Sequence, residues 1–318
     1  MNVDYLRISV TDRCNLNCLY CNPADKIGFI QKKDILSYEE ITEIAGIFAE
    51  AGIKKIRLTG GEPLIKLNIS GLVKMLKPIS NIEELSMTTN GILLKDMAKE
   101  LKISGLDRIN ISIDTLREDR FRLITRGGNI NDVKEGIDMS LKAGLNPVKL
   151  NVVLLKGIND DEIGDFAGLS VDSPLIVRFI ELFPVNFQLK SFSKNIVKNE
   201  EVKQKIIAVF GDLEPVNEVI GNGPAVYYKI KNSAGSIGFI SSYSEDFCGK
   251  CNRIRMDSAG RIFPCLFANQ VYDVKKLLRS GASKGNLTEF IENIICVKPQ
   301  YKKKDAKDFK VEMSSIGG

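Results

Sequence analysis

Two groups of cysteines carry most of the chemistry legible in this chain of 318 residues. The first is Cys14, Cys18 and Cys21, spaced C-x3-C-x2-C directly after a strand-like run. Three thiolates this close can wrap one small inorganic body and fill three corners of a cubane [4Fe–4S] cluster, for which four protein ligands are usual. The remaining iron is then open to a substrate or cofactor, as an incomplete ligand set is in catalytic metal sites. The competing reading is a zinc knuckle, whose fourth ligand would have to be Asp12, Asp25 or a distant cysteine because the chain has no histidine. The second group, Cys248-x2-Cys251-x13-Cys265, offers three more thiolates, with a strand-like hairpin that returns Cys265 to the first pair. On spacing alone, a zinc ribbon short of one ligand competes here. Cys296 could supply that ligand, but it stands among the apolar residues of FIENIICV without a partner at ligand spacing, and reads as a buried small hydrophobe. Two separate triads imply two clusters, each with an accessible iron.

Such groups need elements to hold them. Strand-like runs at LRISV (6–10), KKIRLT (54–59), ELSMTT (84–89), RINISI (108–113), VKLNVV (148–153) and IVRFIEL (176–182) alternate with helical stretches. Ser37 and Glu40 have the spacing of a capping box, and Ile41, Ile44, Ala45, Phe48 and Ala49 then share one helical face. Gly52, Gly105 and Gly144 each follow a helix and precede a strand, the place of a helix C-cap. Six strands joined by helix-sized crossovers predict a parallel sheet. Polar phrases close several strands, Thr59-Gly60-Gly61-Glu62-Pro63, Thr89-Asn90-Gly91 and Ser112 with Asp114, and a barrel converges such ends on one mouth. A barrel or part-barrel is therefore preferred to an open doubly wound sheet, which gathers ligands at one switch point. After about residue 185 the pattern loosens, leaving a hairpin-like YYKIKNSAGSIGFI (227–240) and a polar tail.

Composition narrows the class. Hydrophobic residues at 44% and charged residues at 27% fit a globular protein and exclude a disordered or collagenous one. No apolar run reaches membrane-spanning length and no signal-like stretch opens the chain, so a cytoplasmic, reducing location is expected. The absence of histidine removes imidazole general bases and His-ligated zinc. A net charge of +5 suits nucleic acid, anionic lipid or a phosphorylated small molecule without selecting among them. Lys55 and Arg57 share one face of a strand, as do Lys149 and Asn151, so both strands can point charge into one cavity, where an anion must compensate it. Arg253 and Arg255, alternating just after the second CxxC, are expected to face that cavity from the opposite side.

CNLNCLYC with TGGEP at 59–63 resembles the signature of the radical S-adenosylmethionine enzymes. The wider set, LRISVTDRCNLNCLYC, KKIRLTGGEPL, SMTTNG, INISIDTL, LNVVLLKGIND, VRFIE, FCGKCNRIR with CLF, and the terminal Gly-Gly, is similar to the GTP 3′,8-cyclase family of molybdenum cofactor biosynthesis over residues 4–318. The resemblance implies an α/β fold, a partial (β/α)6 TIM-like barrel over residues 1–185 with the N-terminal cluster. A C-terminal α+β extension over residues 186–318 would carry the second cluster and the Gly-Gly tail and close the barrel mouth.

It also implies roles. Cys14, Cys18 and Cys21 would hold the cluster that binds S-adenosylmethionine, with Tyr20, Gly60, Gly61, Thr88, Ser112, Asn151 and Phe183 around that cofactor. Cys248, Cys251 and Cys265 would hold a second [4Fe–4S] cluster against the guanine of GTP, and Arg7, Lys55, Arg57, Lys149, Arg178, Arg253 and Arg255 would bind the substrate. A 5′-deoxyadenosyl radical would remove the ribose 3′ hydrogen, and C3′ would attack guanine C8 to give 3′,8-cyclo-7,8-dihydro-GTP. The Gly317-Gly318 tail would enter the active site, so that Gly317 and Gly318 join Arg253 and Arg255 as catalytic residues. The implied partners are GTP, an unidentified electron donor and a second copy of the chain, with no nucleic acid and no membrane.

Three departures stand out: Phe183 where the family commonly has methionine, Lys66 for an arginine after TGGEPL, and KPQY where relatives often carry KPxxH. Lysine keeps the charge of arginine but loses its planar fork. Two other readings compete. A peptide-modifying radical enzyme would show a longer cysteine-rich C-terminal set, and a zinc-stabilised RNA-binding protein would show longer basic and aromatic stripes than NRIR.

Overall fold

The computed structural model describes residues 3–21, 28–182, 196–216, 223–241, 251–266, 270–300 and Ile316. Strands β1 (Tyr5–Ser9), β2 (Lys55–Thr59), β3 (Glu84–Thr89), β4 (Arg108–Ser112), β5 (Val148–Leu154) and β6 (Ile176–Glu181) lie side by side in sequence order, all parallel. Between them run α1 (Tyr38–Glu50), α2 (Ile69–Leu76), α3 (Leu94–Ile103), α4 (Glu118–Thr125), α5 (Ile130–Lys142) and α6 (Ile163–Asp172). The sheet is not closed, so the six units form a partial barrel.

The C-terminal segment builds no separate sheet among the described residues; it extends this one at both edges. After α7 (Asn199–Phe210) come β7 (Leu213–Pro215), β8 (Val226–Ile230) and β9 (Ser236–Ile240), and β9 runs parallel to β6. The hairpin anticipated at 227–240 is β8 with β9. β10 (Arg253–Met256) pairs parallel with β1 and folds back through β11 (Arg261–Phe263) to β12 (Tyr272–Asp273). Helices α8 (Val274–Arg279) and α9 (Lys284–Val297) follow, and Arg279 clamps Glu40 of α1 at 2.7 and 2.9 Å.

Local chemistry accounts for the crossovers. The Ser37 hydroxyl accepts from the Glu40 amide and the Glu40 carboxylate accepts from the Ser37 amide, a complete capping box at α1. Gly52, Gly105 and Gly144 adopt φ of 101°, 105° and 76°, while the next amide reaches back to close each helix, as Ile53 does to the Phe48 carbonyl at 2.9 Å. Apolar residues at alternate strand positions, such as Leu6, Ile8, Ile56, Leu58, Ile109, Ile111, Leu150 and Val152, are fully buried in the main core cluster with the crossover helices. The other alternation set is polar and lines a cavity on the concave face. A TIM barrel normally packs that interior with branched apolar residues, and here it is a charged chamber.

Cys296 lies on the exposed face of α9, which corrects its reading as a buried hydrophobe. The buried stripe of that helix is Leu287, Ile291 and Ile294, and helical periodicity turns position 296 away from it. Among the described residues no helix is long and apolar enough to cross a membrane.

Candidate functional site

The chamber has a volume of about 280 Å³. Its floor is set by register. Arg7 of β1 stands between Arg255 of β10 and Arg57 of β2, so three guanidinium-bearing positions adjoin across neighbouring strands. Arg253 and Arg255 thus extend the row begun by Arg7, a correction to their expected place on the opposite side of the cavity. Farther round, Asn151 pairs in register with Arg178, and Arg178 with Gly238. Glycine is needed at 238, because a Cβ there would sit 2.8 Å from the Tyr227 ring and 3.0 Å from the Arg178 side chain.

Eight cations line the chamber, Arg7, Lys55, Arg57, Arg108, Lys149, Arg178, Arg253 and Arg255, against the carboxylates of Asp114 and Glu181. Arg108 forms an ion pair with Glu84, and an Arg178 Nη2 donates to Asn110 Oδ1 at 2.7 Å and also to Asn151 Oδ1. Arg57 Nε donates to Ser86 Oγ at 3.2 Å and its guanidinium lies 5.3 Å from the Tyr5 ring centre. Lys149 Nζ is 3.5 Å from Tyr227 Oη. Burial, with Arg178, Arg108 and Arg57 close by, pushes the Lys149 ammonium down to about 6. Burial and the adjacent Arg255 and Arg57 likewise push Arg7 down. So much confined positive charge calls for a multiply charged anion.

The first cysteine loop closes one end of the chamber, with Cys14, Cys18 and Cys21 all lining it. Its backbone is tied to the end of α4, where Asn17 and Leu19 amides donate to the Thr125 and Ile124 carbonyls, both at 2.9 Å. The TGGEP loop presses on it from the other side: Gly61 N donates to Thr11 O at 2.7 Å and Glu62 N to Arg13 O at 2.8 Å. A Cβ on Gly61 would lie 2.1 Å from Arg13 O, so the missing side chain makes room first for the cysteine loop itself. Among the described residues, which include these three cysteines and Asp12, no three Cys, Asp or Glu side chains converge on a single metal ion; the thiols border the chamber instead.

Tyr20, Gly60, Gly61, Thr88, Ser112 and Asn151, read from the sequence as cofactor contacts, all line the same chamber. Thr88 Oγ1 is buried without a hydrogen-bond partner, which fits a polar ligand beside it. Cys251 and Cys265 directly flank the second hairpin, and Leu266 and Arg253 beside them are chamber residues. Tyr20 and Cys265 both pack on the small apolar cluster of Leu155 and Leu182, so the two cysteine groups meet over one patch. Cys248, Phe183, Gly317 and Gly318 lie outside the described residues; Ile316, just before the Gly-Gly pair, is buried with its carbonyl 3.5 Å from Arg255 Nη1.

The roles of two site carboxylates escaped the sequence reading. Asp114 receives the Tyr20 hydroxyl on one oxygen and the Val153 amide on the other at 2.8 Å. Burial pushes its carboxyl up to about 6, against those two hydrogen bonds. Glu62 accepts from Thr89 Oγ1 at 2.6 Å, Asn90 N at 2.7 Å and Leu64 N at 3.0 Å, and burial pushes it up to about 7. It thereby fixes the turn after β3, from which Asn90 Nδ2 reaches Asn15 Oδ1 at 2.7 Å and Cys14 Sγ at 3.8 Å. Both carboxylates stood inside quoted motifs, INISIDTL and TGGEP; their partners, distant in sequence, carried no local signal.

Comparison with known proteins agrees with this geometry. A family profile described as "Radical SAM superfamily" matches residues 8–169, and one described as "Molybdenum Cofactor Synthesis C" matches residues 175–304. The chain is 44% identical to the GTP 3′,8-cyclase of Pelotomaculum thermopropionicum over 99% of its length and 98% of that protein. It is 45% identical to that of Desulforamulus reducens, covering 100% of this chain and 98% of the relative, and 46% identical to that of Moorella thermoacetica, covering 99% and 98%. Among solved structures, Streptococcus suis SuiB bound to S-adenosylmethionine aligns with a TM-score of 0.58 at 16% identity, over 91% of this chain and 68% of that one. Methylornithine synthase aligns with a TM-score of 0.51 at 18% identity, over 66% and 63%. At such identities these two speak for the shared fold alone. The full-length relatives and the paired profiles carry more, and by them the chain belongs to the radical S-adenosylmethionine superfamily and, within it, to the GTP 3′,8-cyclase family.

Proposed function

We propose that this chain converts GTP to 3′,8-cyclo-7,8-dihydro-GTP, the first step of molybdenum cofactor biosynthesis, with two [4Fe–4S] clusters and S-adenosylmethionine as cofactors. The observation that carries this reading is the row of cations on the chamber floor beneath two cysteine groups that share one apolar patch. When bound, a reduced cluster and S-adenosylmethionine supply a carbon radical that can take one ribose hydrogen.

The chain's own work is holding and aiming. Cys14, Cys18 and Cys21 hold the first cluster, and Tyr20, Gly60, Gly61, Thr88, Ser112, Asn151 and Phe183 seat S-adenosylmethionine beside it. Arg7, Lys55, Arg57, Lys149, Arg178, Arg253 and Arg255 take the triphosphate, whose negative charge offsets their mutual repulsion. Cys248, Cys251 and Cys265 would hold the second cluster, whose open iron would take the guanine of GTP. Fixing both ends of one substrate in this way restricts it to a reactive geometry, an effect worth several kcal/mol. Gly317 and Gly318, which carry no side chains, act in the active site on this reading; Ile316, the residue before them in sequence, is buried with its carbonyl 3.5 Å from Arg255 Nη1. The electron comes from a separate reductant. Association of two copies follows family habit and rests on no surface described above.

The test is anaerobic incubation of reconstituted protein with GTP, S-adenosylmethionine and a chemical reductant, analysed for 5′-deoxyadenosine and the cyclised nucleotide. About eight irons per chain and both products are expected. Cleavage of S-adenosylmethionine without loss of GTP would remove the substrate assignment, and a zinc-loaded, colourless protein would remove the reaction class as well.

A further inference from the structure

Lys298 follows α9 as its C-cap residue and is 4% exposed. Its Nζ donates to Pro264 O at 2.9 Å and lies 3.8 Å from Cys251 Sγ. One ammonium therefore touches both arms of the second cysteine hairpin: the sulfur on one arm, and on the other the carbonyl directly before Cys265. Taking an ammonium out of water costs several kcal/mol unless negative charge answers it. The group within its reach that can carry negative charge is the Cys251 sulfur. A helix C-terminus also welcomes a cation, but any basic residue whose head reaches water would meet that need. Burial against a cysteine sulfur does more than cap a helix.

We propose that Lys298 is a positioning residue of the second cluster, clamping Cys251 and the Pro264 carbonyl at a fixed separation and setting a positive charge against the metal body they hold. This rests on the reading of Cys248, Cys251 and Cys265 as ligands of a [4Fe–4S] cluster. Hydrogen bonds to ligand sulfurs and nearby positive charge favour the reduced, more negative state of a cluster. Lys298 thus makes the second cluster easier to reduce and keeps its open iron in register with the cation row.

The experiment uses the full-length chain with Cys14, Cys18 and Cys21 replaced by alanine, so that any cluster reports the second group alone. After anaerobic reconstitution, iron and sulfide are measured and the cluster is reduced stepwise under electron paramagnetic resonance. At the potential that half-reduces this parent, Lys298→Met is expected to lower the reduced-to-oxidised ratio at least tenfold and to move the g-values. Lys298→Gln, which keeps a donor without the charge and is the gentler test of folding, is expected to lower the ratio in the same direction. Either variant carrying a full cluster with the parent's ratio and g-values would overturn the proposal. A parent that takes up zinc instead of a cluster would overturn the functional reading beneath it, an outcome told apart by metal analysis before Lys298 is changed.

Discussion

Among the described residues, Asn15, Asn90, Tyr20 and Asp114 stand about the first cysteine loop, whereas Arg253, Arg255 and Lys298 stand about the second. The consequence is visible in the thiols. Burial, then Cys21, Asp114 and Cys14, pushes the Cys18 thiol up. Burial acts the same way on Cys251, but Arg253 and Lys298 outweigh it and bring that thiol down to about 7. On the functional reading above, the first surroundings resist added electrons and so make a strong one-electron donor, while the second tolerate negative charge and suit an anionic substrate. One fold serves both by giving each group its own wall of the chamber.

The sharpest way to break this contrast is to empty one group at a time. Replacing Cys14, Cys18 and Cys21 with alanine should leave about four irons and reduce 5′-deoxyadenosine formation by at least roughly a thousandfold. Replacing Cys248, Cys251 and Cys265 should also leave about four irons, yet preserve cleavage of S-adenosylmethionine while abolishing the cyclised product. If either triple replacement empties both groups, the two walls are not independent.

A steric change sharpens it next. Gly61→Ala drives a methyl group into Arg13 O and should cost roughly 3 kcal/mol or more, read as a lowered thermal midpoint. Iron should be lost from the first group with the second still loaded.

Acidic and basic walls should also respond to pH, one in stability and the other in substrate binding. The Asp114 carboxyl titrates higher in the folded chain, at about 6, than in the unfolded chain, so the folded state binds the extra proton. Its stabilising contribution is full below about pH 4 and is lost as pH rises through about 6, a change of about 3 kcal/mol for a shift of this size. Urea titrations should show that fall in the native chain and not in Asp114→Asn.

Lys149 responds through substrate binding. Held down at about 6 when free, it must gain a proton when a triphosphate arrives, so GTP binding should take up a proton near pH 7.5 and weaken by up to about tenfold per pH unit above pH 6. Calorimetry in buffers of different ionisation enthalpy reads the proton directly. Lys149→Met should abolish the uptake.

The six barrel strands were legible to within a residue or two because each alternates one polar and one apolar face, as Arg7 and Lys149 do with Leu6 and Leu150. Capping at Ser37 and the glycine turns were legible because their chemistry is complete within six residues. The pairing of β10 with β1 and β9 with β6 was not, since nothing in NRIR or SIGFI names its neighbour. For the same reason the site's cations and cysteines could be picked out, while Asp114, Glu62 and Lys298 could not: their roles exist only through partners far along the chain. The misplacement of Arg253 and Arg255 on the far side of the cavity has this origin too.

The placement of β10 beside β1 has a consequence for biosynthesis. These strands are on the order of 250 residues apart, and contacts of such separation form slowly. While the polypeptide is still emerging from the ribosome, β1 presents a bare edge, open to pairing with a neighbouring nascent chain. The last quarter of the molecule therefore acts as a seal, and iron loaded before it arrives would sit at a half-built wall.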